Sequence, residues 1–171
     1  METHYYNVDI RWNRDRKGMM CSPEVARPLA ADNGCIEIAT PPEFPKGIAG
    51  IWSPEHLFTA AVSSCLMTTF LSIAENSRLE FISFTCRSKG KLEKVDGKFL
   101  MTEVLLEPYV TIMHEQDREK ALRVINKSAD VCLISNSIKS KVIISPVIKE
   151  KDTSVQSNEK SLSQEKNKSS D

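Results

Sequence analysis

Ser53-Pro54-Glu55 is the feature that most limits what this chain can fold into. Serine is a preferred helix N-cap because its hydroxyl satisfies an orphan N–H, and proline fits the first helical position because its missing N–H is not needed there. Glu55 adds a carboxylate beside the positive end of the helix dipole. A helix is predicted from there to about Asn76. Its length, about 23 residues or ~35 Å, is roughly twice the globular mean. Small residues (Ala60, Ala61, Ser63, Ser64) fill its middle and permit close approach by another backbone.

The flanking sequence predicts strands. His4 to Trp12 is rich in β-formers and leads into a polar turn, Asn13 to Gly18; Gly34 to Ala39 alternates again before the breaker cluster Thr40 to Gly47, read as a long loop. Phe81 to Lys94 and Lys98 to Met113 alternate on either side of Val95-Asp96-Gly97, and Asp-Gly is a strong hairpin signal. Ala121, Leu122, Ile125, Ala129 and Cys132 recur at helical spacing within a predicted helix from Glu115 to about Ile134, and Lys141 to Ile148 closes the fold as a strand. Strand runs and helices segregate, so the expected class is α+β.

Composition bounds the function. The 171 residues are 40% hydrophobic and 27% charged, ordinary for one globular domain. Glu150 to Asp171 has only Val155 and Leu162 as sizeable apolar residues, too few to offset ordering entropy, so the expected division is a folded domain at 1–149 and a polar disordered tail at 150–171. Equal numbers of basic and acidic residues, 23 each, disfavour nucleic acid and anionic lipid as partners. Met1 to Tyr6 has no basic, apolar leader pattern, and the most apolar stretch, Leu57 to Ile73, is broken by seven Ser, Thr and Cys positions; neither a signal peptide nor a membrane span is expected. The five cysteines form no C-x-x-C pair, and their odd count argues against a disulfide framework and for a reducing, cytoplasmic setting.

Three histidines without helical pairing support no metal site, and six glycines without a phosphate-loop pattern support no nucleotide cofactor. Two cysteines stand out, each late on a predicted helix: Cys65 in Val62-Ser63-Ser64-Cys65-Leu66-Met67, and Cys132 in Val131-Cys132-Leu133-Ile134-Ser135-Asn136-Ser137. Together with Ser53-Pro54-Glu55-His56-Leu57-Phe58 they carry a resemblance. The chain resembles the OsmC/Ohr family, the osmotically inducible and organic hydroperoxide resistance proteins, whose pattern is a Pro-Glu opening a helix, a Cys ten residues later, and a second Cys before a Ser-Asn. The resemblance spans about 4–149, and Ala39-Thr40-Pro41-Pro42-Glu43-Phe44 with Trp52-Ser53-Pro54-Glu55 looks like one branch of the family.

That resemblance implies an OsmC-like fold, antiparallel sheets wrapped around two central helices in an intertwined homodimer, without cofactor or metal. It also implies a chemistry. Cys65 would attack a small-molecule hydroperoxide as thiolate, and Cys132 would resolve the sulfenic acid to a disulfide. An external dithiol, lipoyl-type in the best-known branch, would reduce it. A lowered thiol pKa and a nearby resolving thiol suit such a role. The family also places an arginine after the first strand, matched best by Arg16 in Arg16-Lys17-Gly18, with Arg14 its close competitor. Leu133-Ile134 stands where the organic-hydroperoxide branch commonly has Pro-Tyr, a departure that bears on substrate and reductant.

Glu55 adds an argument from geometry. Ten helical residues span ~15 Å and turn the side chain by about 80° net, so Glu55 cannot touch Cys65 of its own straight helix. If the two cooperate, a second, antiparallel copy must supply the carboxylate, whose expected role is to orient the arginine by a bidentate pair. Cys21, Cys35 and Cys86 match no family cysteine and are read as bystanders; Met67, Phe58, Phe70 and Ile134 are either pocket lining or simply core. Two rival functions remain. One is a non-catalytic dimer that binds an apolar ligand or senses redox state. The other is a Cys-His acyl transferase, which would need His56 or His114 beside Cys65.

Overall fold

A computed structural model describes residues 3–25 and 34–151. It has two sheets. In the first, β1 (Asp9–Arg14), β2 (Lys17–Cys21) and β3 (Ile36–Ala39) are antiparallel neighbours in chain order. In the second, β4 (Phe81–Val95) and β5 (Lys98–Ile112) form a long antiparallel hairpin, and β6 (Lys141–Ile144) and β7 (Val147–Glu150) both run parallel to β5, so this sheet is mixed. The helices are α1 (Pro54–Asn76), α2 (Arg118–Asp130) and α3 (Leu133–Ser137), with a 3-10 turn at Glu115–Asp117. The architecture is α+β, as the segregated pattern predicts.

Local chemistry accounts for the best-placed boundaries. Ser53 caps α1, its Oγ accepting from the His56 N–H, and Pro54 opens the helix. The hairpin turns at Asp96 (φ 47°) and Gly97 (φ 80°), a pair of left-handed residues that matches strand twist. Along β5 the alternation is clean, with Val104, Leu106, Pro108, Val110 and Ile112 buried. Pro108 falls between the β6 and β7 pairings, where its missing N–H leaves no gap in a ladder.

One core joins Phe70 and Ala74 of α1 to Ala121, Val124 and Ile125 of α2 and to Val110 and Ile112 of β5; Phe81 and Phe84 pack on the Phe70 ring at 5.2 and 4.8 Å between centroids. A second cluster, Val62 and Leu66 against Val104 and Leu106, has Phe58 and Ile134 at its edge. Phe70 is therefore core rather than pocket lining, whereas Met67 is exposed.

Four expectations change. The first strand begins at Asp9, not His4, and the expected polar turn Asn13 to Gly18 contracts to Asp15-Arg16 because Lys17 already pairs with Arg14. The single helix expected over Glu115 to Ile134 is broken after Asp130, so Cys132 lies between α2 and α3 rather than on a helix. The closing strand is split at Ser145-Pro146, and pairing continues to Glu150, where the Lys151 N–H donates to the Ile112 carbonyl. The rest of the expected tail lies outside the described residues.

The fourth concerns the cysteines. Cys21 and Cys35 are joined by a disulfide, not bystanders. The antiparallel register that pairs Met20 with Ile36 sets them opposite one another, 4.2 Å apart at Cα. Nothing in their spacing of 14 shows that register. Cys65, Cys86 and Cys132 are free.

Candidate active site

The break after α2 builds a thiol pair. Cys132 is fully buried under α1, and α3 starts immediately after it, which turns the backbone of Leu133 and Ile134 toward α1. The Ile134 N–H donates to Cys65 Sγ at 3.4 Å, and the Ser135 hydroxyl donates to Cys132 Sγ at 3.2 Å. Burial pushes the Cys65 thiol up, but hydrogen bonds from the Cys132 thiol, the Ile134 N–H, the Thr69 hydroxyl and the Leu133 N–H outweigh it and hold Cys65 below the ordinary thiol value. Cys132 moves the opposite way. Its burial and its hydrogen bond to Cys65 push it up, against donors from Ser135. The opposed directions favour a thiolate at Cys65 and a proton shared toward Cys132, which suits a nucleophilic thiol with a waiting second thiol.

Arg16 and Glu55 lie elsewhere, on the border of one cavity shaped by the loop between β3 and α1. The Thr40 N–H donates to the Arg16 carbonyl at 3.1 Å, the Ala39 N–H donates to the Trp52 carbonyl at 2.8 Å, and Ser53 then starts the helix that carries Glu55. Inside the loop, Phe44 and Gly47 N–H groups donate to the Pro41 and Phe44 carbonyls. The result is a cavity of about 540 Å³ bordered by Arg16, Glu55, Ile10, Trp12, Ile38 and Phe44. A neighbouring cavity of about 510 Å³ has Glu55, His56 and Trp52 on one side and Lys89, Leu92 and Met101 of the hairpin on the other. Glu55 Oε2 is buried without a hydrogen-bond partner, a costly position for a carboxylate oxygen. Cys65 borders neither cavity.

The family model for OsmC-like protein matches residues 47–146, which includes α1 with Glu55 and Cys65 and the α2–α3 break with Cys132. The chain belongs to the OsmC-like family. In the relatives found for this OsmC-like chain the agreement is one of fold at low identity. It is 23% identical to an OsmC-like protein of unknown function from Vibrio cholerae, with a TM-score of 0.73 over 85% of this chain and 100% of that one. An organic hydroperoxide resistance protein OsmC from Legionella pneumophila gives 20% identity and a TM-score of 0.65, covering 87% and 99%. The organic hydroperoxide resistance protein OhrB of Bacillus subtilis gives 22% and 0.60, covering 85% and 98%. By sequence, the uncharacterized protein YmaD of Bacillus subtilis is 21% identical over 145 residues, 83% of this chain and 91% of that protein.

Within this OsmC-like fold, the structure brings Cys65 to Cys132 and sets Arg16 and Glu55 on one cavity that Cys65 does not border. Arg14, at the end of β1, borders neither cavity with Glu55, although its neighbours Asp15 and Lys17 border the first. His56 turns its Nδ1 to Ser53 Oγ at 2.8 Å rather than to a thiol. The groups sequence reasoning passed over are Thr69, which the i+4 spacing from Cys65 could have indicated, and the backbone donors of Leu133 and Ile134, which no pattern announces.

Proposed function

We propose that this chain is a cysteine-dependent organic hydroperoxide reductase. The Cys65 thiolate attacks the distal peroxide oxygen; the O–O bond breaks, the alkoxide takes a proton and leaves as alcohol, and Cys65 becomes a sulfenic acid. The Cys132 thiol then displaces water from it, forming the Cys65–Cys132 disulfide. An external dithiol restores both thiols and is itself oxidised to a disulfide, which balances the cycle at two electrons. The observation that carries this reading is the placement of the two thiols by one short segment, whose Ile134 N–H donates to Cys65 Sγ and whose Ser135 hydroxyl donates to Cys132 Sγ, with the opposed pKa directions in support.

The working unit in this proposal is a homodimer. On α1 only Val62, Leu66, Phe70 and Ala74 are buried, although the helix is long and apolar enough to cross a membrane by length and composition. Leu71, Ile10 and Trp12 stay exposed at 42%, 61% and 72%, more apolar surface than a lone chain usually leaves open. A second α1 packed antiparallel would cover that surface and bring its Cys65 to the Arg16–Glu55 cavity. There Arg16 would meet the orphan Glu55 oxygen and face the thiolate.

Consumption of tert-butyl hydroperoxide with dithiothreitol is the test. Cys65→Ser should abolish it, and Cys132→Ser should allow one equivalent and then stall; wild-type turnover by Cys65→Ser rules the mechanism out. The apolar walls of the 540 Å³ cavity support the rival reading, an apolar-ligand binder without turnover. Native mass spectrometry that finds a retained lipid, together with no peroxide consumption, would favour it.

A further inference from the structure

The Cys21–Cys35 disulfide has no part in the cycle above. Its surroundings are those of an exchangeable bond. Strand alternation puts Lys17, Met19 and Cys21 on one face of the small sheet with Cys35 and Glu37, and the Lys17–Glu37 ion pair at 2.9 Å marks that face as polar. Ile10, Trp12, Ile36 and Ile38 take the opposite, apolar face, the one that borders the Arg16–Glu55 cavity. Both cysteines are part-exposed and border their own cavity of about 290 Å³, so the bond lies at the surface rather than in the core.

The bond also has a fixed relation to Arg16. Positions 21 and 35 close one end of the β2–β3 register, which runs through Met20↔Ile36, Met19↔Glu37, Gly18↔Ile38 and Lys17↔Ala39. The Thr40 N–H to Arg16 carbonyl bond is the next step at the other end. Within this sheet only Gly18 and Ala39 are buried, so few packing contacts help the cross-link to hold β3 on β2. Four ladder pairs and the ion pair join β2 to its neighbour independently of the disulfide, and the Phe70 core lies elsewhere, so the fold of the chain does not depend on this bond alone.

We propose that Cys21 and Cys35 are a second redox-active pair, whose substrate is a small dithiol and whose oxidised state clamps the ladder that holds the Arg16 turn. A thiolate of the dithiol attacks one sulfur, the S–S bond breaks, and the other cysteine leaves as thiolate and takes a proton. The second thiol of the reductant then attacks its own sulfur in the mixed disulfide, that S–S bond breaks, the remaining cysteine leaves as thiolate and takes the proton, and the reductant departs as a cyclic disulfide. Two electrons enter the protein, and oxidised dithiol reverses the step. The pair acts whether or not Cys65 is peroxidatic.

The full chain with Cys65→Ser, Cys86→Ser and Cys132→Ser tests this, with dithiothreitol as the probe. Under native conditions reduction should expose two alkylatable thiols, detected by mass, with an unchanged circular dichroism spectrum, and oxidised dithiothreitol should close them again. Trypsin cleavage after Arg16 should run at least about threefold faster in the reduced form. Thiols that appear only in denaturant, that never pair, or that leave the cleavage rate unchanged would overturn the proposal. Peptide mapping of the wild-type chain under the same couple repeats the test should the triple variant not fold, and peroxide turnover measured separately keeps its outcome distinct from that of the Cys65 cycle.

Discussion

The Ile134 N–H points at Cys65 Sγ from 3.4 Å, across 69 residues of chain. That contact exists because α2 stops at Asp130 and the backbone turns at Cys132 to begin α3. With the Cys132 thiol it makes a donor set that favours a thiolate at Cys65 and a thiol at Cys132.

Alkylation of Cys65 by iodoacetamide should therefore rise with pH through a midpoint below that of the same cysteine in denaturant. Cys132→Ala removes a leading donor and should move the midpoint up. Stability is a poor readout of the same effect. Lowered Cys65 contributes stability that is present above its unfolded pKa and lost as pH falls through its folded value; raised Cys132 contributes stability that is present below its unfolded pKa and lost as pH rises through its folded value. The two slopes oppose. An alkylation midpoint unmoved by Cys132→Ala would count against the shared proton.

Separate placement of the two residue pairs predicts complementation between subunits. Glu55→Gln and Cys65→Ser should each be inactive alone. Unfolded together and refolded, half the dimers are mixed and each mixed dimer regains one of two sites, so peroxide turnover should return to about a quarter of wild type. No recovery, with mixed dimers present by native mass spectrometry, would show that each site is built within one chain.

Phe70 is fully buried against Phe81 and Phe84. Phe70→Ala should lower unfolding free energy by about 3–5 kcal/mol, through lost transfer energy and a cavity that the packed rings cannot fill. Urea titration should show a lower midpoint at unchanged slope.

Gly47 has a different importance. A Cβ there would lie 2.0 Å from the Pro41 carbonyl oxygen, so Gly47→Ala must displace the loop that carries Pro41 and Phe44 along the Arg16–Glu55 cavity. Peroxide turnover should fall while the Cys65 alkylation midpoint holds, because the thiol pair is anchored on other elements. Equal loss of both would mean that the substitution acts through general stability.

Much of this was readable in advance, and for a local reason. Ser53 and Pro54 mark the start of α1 within two residues, and Asp96-Gly97 turns the hairpin by its own backbone preferences. The Pro-Glu, Cys and Cys-Leu-Ile-Ser-Asn segments were enough for the family. Capping and turn formation are decided by groups a few bonds apart, so the sequence displays them directly. Other features depend on contacts between distant segments. Strand register alone set Cys21 opposite Cys35, and the break between α2 and α3 aimed the Ile134 N–H at Cys65 across 69 residues of chain. The β3–α1 loop set Arg16 and Glu55 on one cavity that Cys65 does not border. Pairing and packing are chosen by the whole chain's burial and hydrogen-bond balance, and no short segment carries that information.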